Sequence, residues 1–159
     1  MKKSILGYFG LIIIISFVLF ISGCIGSSYK TFNNEYMSFE YPASWNTQEM
    51  ITGGVHVFNV PKEDFNNLGA NLVNLETFSV TPYISDKGRT LNNFNSDVKA
   101  QTEGLIINTG SIDGTTYSYT EKTSNSHQIY YFMKNGKGVI INSLVKDPKI
   151  IENVIKTFN

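Results

Sequence analysis

The one cysteine of this chain, Cys24, stands directly behind the apolar run from Ile5 to Ile21, so whatever folds after it must hold together without a disulfide. The same residue marks where the foldable part begins. Lys2 and Lys3 supply a charged start, the apolar run supplies a hydrophobic segment, and Ile21, Ser22 and Gly23 form a cleavage motif, with the small residues Ser22 and Gly23 directly before the thiol. This is the pattern of a lipoprotein signal peptide over residues 1–23, with Cys24 carrying the lipid. A competing reading is an uncleaved anchor, because about 17 apolar or small residues lie near the lower limit for a spanning helix. A third, a buried or disulfide-bonded Cys24, lacks a second cysteine to pair with. The first two readings place the domain on the extracytoplasmic face of the membrane, the lysines staying inside.

Of 159 residues, the first 23 go with the leader, and the 136 that remain suit one domain with a continuous core. Two of the 13 basic residues leave with it, so 11 face 13 acidic residues and the remainder carries a net charge of −2. The basic residues are scattered among carboxylates, which excludes a surface that neutralises a phosphate backbone; no nucleic-acid partner is expected. Residues 24–31, small and polar, read as the lipidated cysteine and a short tether, and residues 32–159 as the domain.

Within that domain, period-two and aromatic-rich stretches predict seven strands: Tyr36 to Tyr41, Gly54 to Val60, Leu72 to Tyr83, Leu105 to Ile112, Thr115 to Glu121, His127 to Lys134 and Gly138 to Val145. Asp113-Gly114 and Asn135-Gly136, the latter followed by Lys137-Gly138, are tight-hairpin signals and imply an antiparallel meander. Thr90 reads as the N-cap of a helix with Leu91, Phe94 and Val98 on one face and Gly104 as its stop. Asp147 and Pro148 open a terminal helix whose stripe is Ile151, Val154, Ile155 and Phe158, with Lys149, Glu152 and Lys156 opposite. A helical turn is also expected at Pro42-Ala43-Ser44-Trp45.

The stretch Tyr36-Met37-Ser38-Phe39-Glu40-Tyr41-Pro42-Ala43-Ser44-Trp45 resembles the opening of PsbP-like domains, in which a strand runs into a Pro-small-small-Trp turn. The order of the remaining elements agrees over roughly residues 32–159. The resemblance implies an α+β fold, an α/β/α sandwich around a central, mostly antiparallel sheet of six or seven strands. It points in particular to the PsbP-related lipoproteins of archaea and Gram-positive bacteria. Members of that family range from supporters of the oxygen-evolving complex of photosystem II to a binder of the small GTPase Ran, so the fold does not name a function. What it implies is a bias toward non-catalytic binding and assembly, and none of its ligand or metal residues maps onto this chain.

Motifs for chemistry are lacking: no nucleophile elbow, no His-Glu-x-x-His, no Walker loop, no dinucleotide fingerprint. His56 and His127 are each alone in sequence; a pair on adjacent strands would bind a metal or act as acid and base, but no third and fourth ligand stands near, and the expectation is no metal and no cofactor. Lys62-Glu63-Asp64-Phe65 reads as a solvated connection. The aromatic set Tyr117, Tyr119, Tyr130, Tyr131 and Phe132 is the surface to watch, since Tyr117 and Tyr119 share one sheet face and Tyr130 and Phe132 share one. Tyr117, Tyr119 and Tyr130 are therefore the candidate partner-binding residues. The leading expectation is a membrane-anchored, non-enzymatic interaction or assembly module whose partner is another membrane or envelope protein. The alternatives are a small-ligand or metal-binding surface lipoprotein and, behind it, a hydrolase with a dispersed site. A flat aromatic patch would favour the first, a concave one the second.

Overall fold

The computed structural model describes residues 28–67, 74–84 and 90–159. The leader, Ile21, Ser22, Gly23 and Cys24 lie outside the described residues, as do Leu72 and Val73 of the third expected strand. In chain order the elements are β1 (Tyr29–Asn33), β2 (Ser38–Pro42), β3 (Asn46–Glu49), β4 (Val55–Phe58), α1 (Lys62–Asn66), β5 (Thr77–Tyr83), α2 (Leu91–Thr102), β6 (Ile107–Ile112), β7 (Thr115–Thr120), β8 (Gln128–Lys134), β9 (Lys137–Ser143) and α3 (Pro148–Thr157).

Two Asx-Gly pairs set the meander. Asp113 and Gly114 have φ of 50° and 75°, Asn135 and Gly136 of 52° and 74°, which is the double positive φ that a two-residue hairpin turn needs. They close the β6–β7 hairpin at Ile112 and Thr115 and the β8–β9 hairpin at Lys134 and Lys137. With β5 added beside β9, and β4 and β3 beyond it, the result is a seven-stranded antiparallel sheet of order β3-β4-β5-β9-β8-β7-β6. The fold is α+β.

Alternation along the central strands sorts the core into two layers. Phe78 and Val80 of β5 with Val139 and Ile141 of β9 face one side, while Tyr83 and Ile140 face the other. The first face is covered by the β1–β2 hairpin and by α3, whose stripe of Ile151, Val154, Ile155 and Phe158 is almost wholly removed from water. Each such side chain contributes about 1.5–3 kcal/mol by burial, far more than a ten-residue helix could gain alone. Asp147 caps α3 by accepting from the Lys149 N–H at 3.0 Å. Backbone bonds between Ser38 and Asn159, at 3.0 and 2.9 Å, tie the end of the chain to β2.

The second face is covered by α2. Thr90 and Asn93 exchange capping bonds at its start, an Asn doing what Glu or Gln does in the usual capping box. Its one buried residue, Phe94, rests on Gly138, where an added Cβ would lie 2.6 Å from the ring. Gly138 is thus a packing residue of β9 and no part of the turn before it.

Four expectations change. Tyr29, Lys30 and Thr31, read as tether, are strand: β1 pairs with β2 in the register Phe32 to Phe39, and the Lys30 ammonium lies 5.0 Å from the Tyr41 ring centroid. The turn at Pro42–Trp45 is not helical; the Trp45 N–H donates to the Pro42 carbonyl at 3.0 Å and the chain runs on into the polar edge strand β3. Lys62 to Phe65 belong to α1, held by Phe65 stacking on Phe58 at 3.9 Å. Glu152 is not confined to the solvent side of α3, since it reaches the tyrosines of the sheet. Among the described residues no helix is long and apolar enough to cross a membrane.

Candidate functional site

Strand register brings the three candidate tyrosines together. Tyr117 lies opposite Gly110 on one side and Phe132 on the other, and Tyr119 lies opposite Tyr130. All three rings therefore share the face covered by α3, with centroids 5.8 Å apart for Tyr117 and Tyr119, 6.2 Å for Tyr117 and Tyr130, and 5.7 Å for Tyr119 and Tyr130. Tyr131 points to the opposite face, beside Ile140 and Phe94. Gly110 allows this arrangement: a Cβ there would overlap the Tyr117 ring, which spreads over the bare backbone. Gly110→Ala is therefore expected to destabilise the domain by about 1–3 kcal/mol through overpacking, and to change the near-ultraviolet dichroism of the tyrosines.

The cluster is concave. Tyr117, Tyr119 and Tyr130 line a cavity of about 250 Å³ together with Gln128, Lys122 and Glu152. Tyr117 and Tyr130 are buried at 7% and 3% exposure, and only Tyr119, half-buried, forms a rim. The flat aromatic patch that partner binding would use is not what these residues make. Their hydroxyls are engaged: Tyr117 donates to Glu152 Oε1 at 3.3 Å, and Tyr130 donates to Gln128 Oε1 at 2.6 Å, while Gln128 Nε2 donates to the Thr120 carbonyl at 2.8 Å. Burial, reinforced by the neighbouring phenols and Glu152, pushes the Tyr130 hydroxyl well above its ordinary range. Burial and then Glu152 push Tyr117 the same way. Both rings stay neutral donors at any physiological pH. Lys122 Nζ donates to the carbonyls of Val145 at 3.3 Å and Lys146 at 2.9 Å, which holds the ammonium at the mouth of α3.

The sequence pattern pointed to the tyrosines but not to the polar half of this cavity. Glu152 arrives from α3, Lys122 from the β7–β8 connection and Gln128 from the start of β8, and no spacing in the chain announces that they converge. The one available signal was Gln128 beside Tyr130 at an i, i+2 spacing, which puts a side-chain amide on the same face of the strand.

The two histidines are each half-buried and do not stand on adjacent strands. His56 is on β4 and His127 precedes β8, with β5 and β9 between them, so their strands stand about 14 Å apart at about 4.8 Å per step. They flank one open cleft of about 210 Å³ lined by Thr77, Ser79 and Asn142, on the same sheet face as α2 but toward the opposite end of β5 and β9 from Tyr83 and Ile140. A single ion coordinated by both needs nitrogens about 2.0–2.1 Å from it, which this separation opposes. Among the described residues no group of three or more His, Cys, Asp or Glu side chains gathers as a metal site. Burial lowers the His56 pKa below its ordinary 6.5. The folded state therefore resists the proton that the unfolded state accepts, and stability falls as pH drops through about 6.5. His56→Gln is expected to remove that part of the pH dependence, as read by thermal melts at pH 5 and 8.

No family model matches the chain, and no curated protein matches it. Among solved structures it is similar to the solution structure of cyanobacterial PsbP (CyanoP) from Synechocystis sp. PCC 6803, with a TM-score of 0.45 and 16% identity over 87% of this chain and 98% of that one.

Proposed function

We propose that the chain is a PsbP-related lipoprotein of the archaeal or Gram-positive type, anchored through lipid on Cys24, whose extracytoplasmic domain acts without catalysis by docking on another membrane or envelope protein. The observation that carries this reading is the free edge of the sheet. Leu105, Ile106 and Ile107 are exposed at 43%, 62% and 40% and lead into β6, whose six residues, Ile-Asn-Thr-Gly-Ser-Ile, include no charge and no proline. Edge strands are ordinarily blunted by such residues, and this one is not. Among the described residues nothing pairs with its outer side. The occupant is an extended, uncharged segment of the partner, added as an eighth strand with its apolar side chains on Ile106 and Ile107. β1 begins five residues after Cys24, a reach of about 17 Å at about 3.3–3.6 Å per residue, so the partner lies close to the bilayer.

The test places charge on that edge. Ile106→Lys with Thr109→Lys, both at exposed positions, leaves the fold intact and abolishes recovery of the partner with the intact protein from its own membranes. Recovery at the wild-type level from this variant would overturn the reading.

A further inference from the structure

The tyrosine cavity has a chemistry of its own, independent of the β6 edge. Three electron-rich tyrosine rings, clustered with centroids 5.7 to 6.2 Å apart, line a space smaller than a drug-sized pocket. At one wall stands the carboxylate of Glu152, which among the described residues accepts one hydrogen bond, from Tyr117. At another stands the ammonium of Lys122, with two of its three protons committed to carbonyls. These opposite charges line the same small cavity, yet no ion pair joins them. Two unlike charges that face a common space without meeting leave room for a ligand that answers both. The rings exclude water on one side, which strengthens either contact.

We propose that this cavity binds a small zwitterion, its ammonium group against the tyrosine rings and Glu152 and its carboxylate on Lys122. The neutral state of the buried phenols leaves Glu152 as the negative partner for that ammonium.

The test titrates the intact lipidated protein in detergent micelles with glycine and with glycine betaine, two zwitterions that differ in methylation, by calorimetry. Tetramethylammonium chloride and sodium acetate serve as the separate halves. At least one zwitterion gives saturable heat, and each half binds at least about tenfold more weakly, because it forfeits a charged contact. Glu152→Gln and Lys122→Met each weaken the zwitterion about tenfold or more, whereas Glu63→Gln on α1 leaves it unchanged. Tyr119→Leu, at the half-exposed rim, weakens it as well and guards against a variant that fails to fold. Absence of saturable binding for both zwitterions would overturn the proposal. So would tetramethylammonium binding as tightly as betaine, or a folded Glu152→Gln protein with wild-type affinity.

Discussion

Trp45→Ala lowers the stability of the domain by about 3–5 kcal/mol, the usual cost of truncating a buried tryptophan and a large share of what a domain of this size has to lose. Trp45 is 8% exposed, its ring centroid lies 6.0 Å from that of Phe78, and it joins the layer formed by Phe39, Val57 and Ile155. The collapse would spread, since Phe78 also packs on Phe39 at 6.4 Å and the hairpin of β1 and β2 is seated on the sheet through these rings. Thermal melts measure this directly, with an expected fall of about 10 °C or more. A variant that melts within a degree or two of the wild type would show that Trp45 does not close this end of the core.

The second large effect is all or none. Cys24→Ser removes the only thiol in the chain and with it the attachment point that we propose for lipid. The expected result is a precursor left uncleaved or a domain released from the membrane, while the wild type stays with the membrane through a salt wash. Two hydrocarbon chains contribute about 0.8 kcal/mol per buried methylene, which salt does not screen. Mass spectrometry of the N-terminal peptide reads the outcome: lipid mass on Cys24 supports the anchor, and an unmodified thiol on a mature protein contradicts it.

What could be read from the chain, and what could not, follows the strength of local signals. The meander was legible because two of its three hairpins, β6–β7 and β8–β9, carry an Asx-Gly pair and its later strands, Gln128–Lys134 and Lys137–Ser143, are rich in aromatic and β-branched residues. The helices α2 and α3 were legible from their caps and stripes. β1 was missed because Phe32 is its one fully buried side chain, so it lacks a period-two pattern and is strand only through pairing with β2. β3, Asn-Thr-Gln-Glu, buries nothing fully and is recruited by β4. α1 spans five residues, too few for periodicity to register, and exists because Phe65 finds Phe58. At the candidate site, Tyr117, Tyr119 and Tyr130 could be assigned to a surface by parity, but their burial depends on α3 lying across them. Glu152 is separated from Tyr117 by 35 positions, and no local rule links a helix carboxylate to a strand phenol at that range.

The central claim, that the domain works by accepting a partner along its free edge, is tested most directly by amide hydrogen exchange at β6. In the purified intact protein the amides of Ile107–Ile112 that point away from β7 have no strand partner among the described residues and are expected to exchange rapidly, while those paired with β7 are protected. In the native membrane, with the partner in place, the outward amides should slow by about tenfold or more, and the Ile106→Lys, Thr109→Lys protein should retain the fast exchange of the purified form. Equal exchange at β6 in the membrane and in the purified protein would contradict the claim.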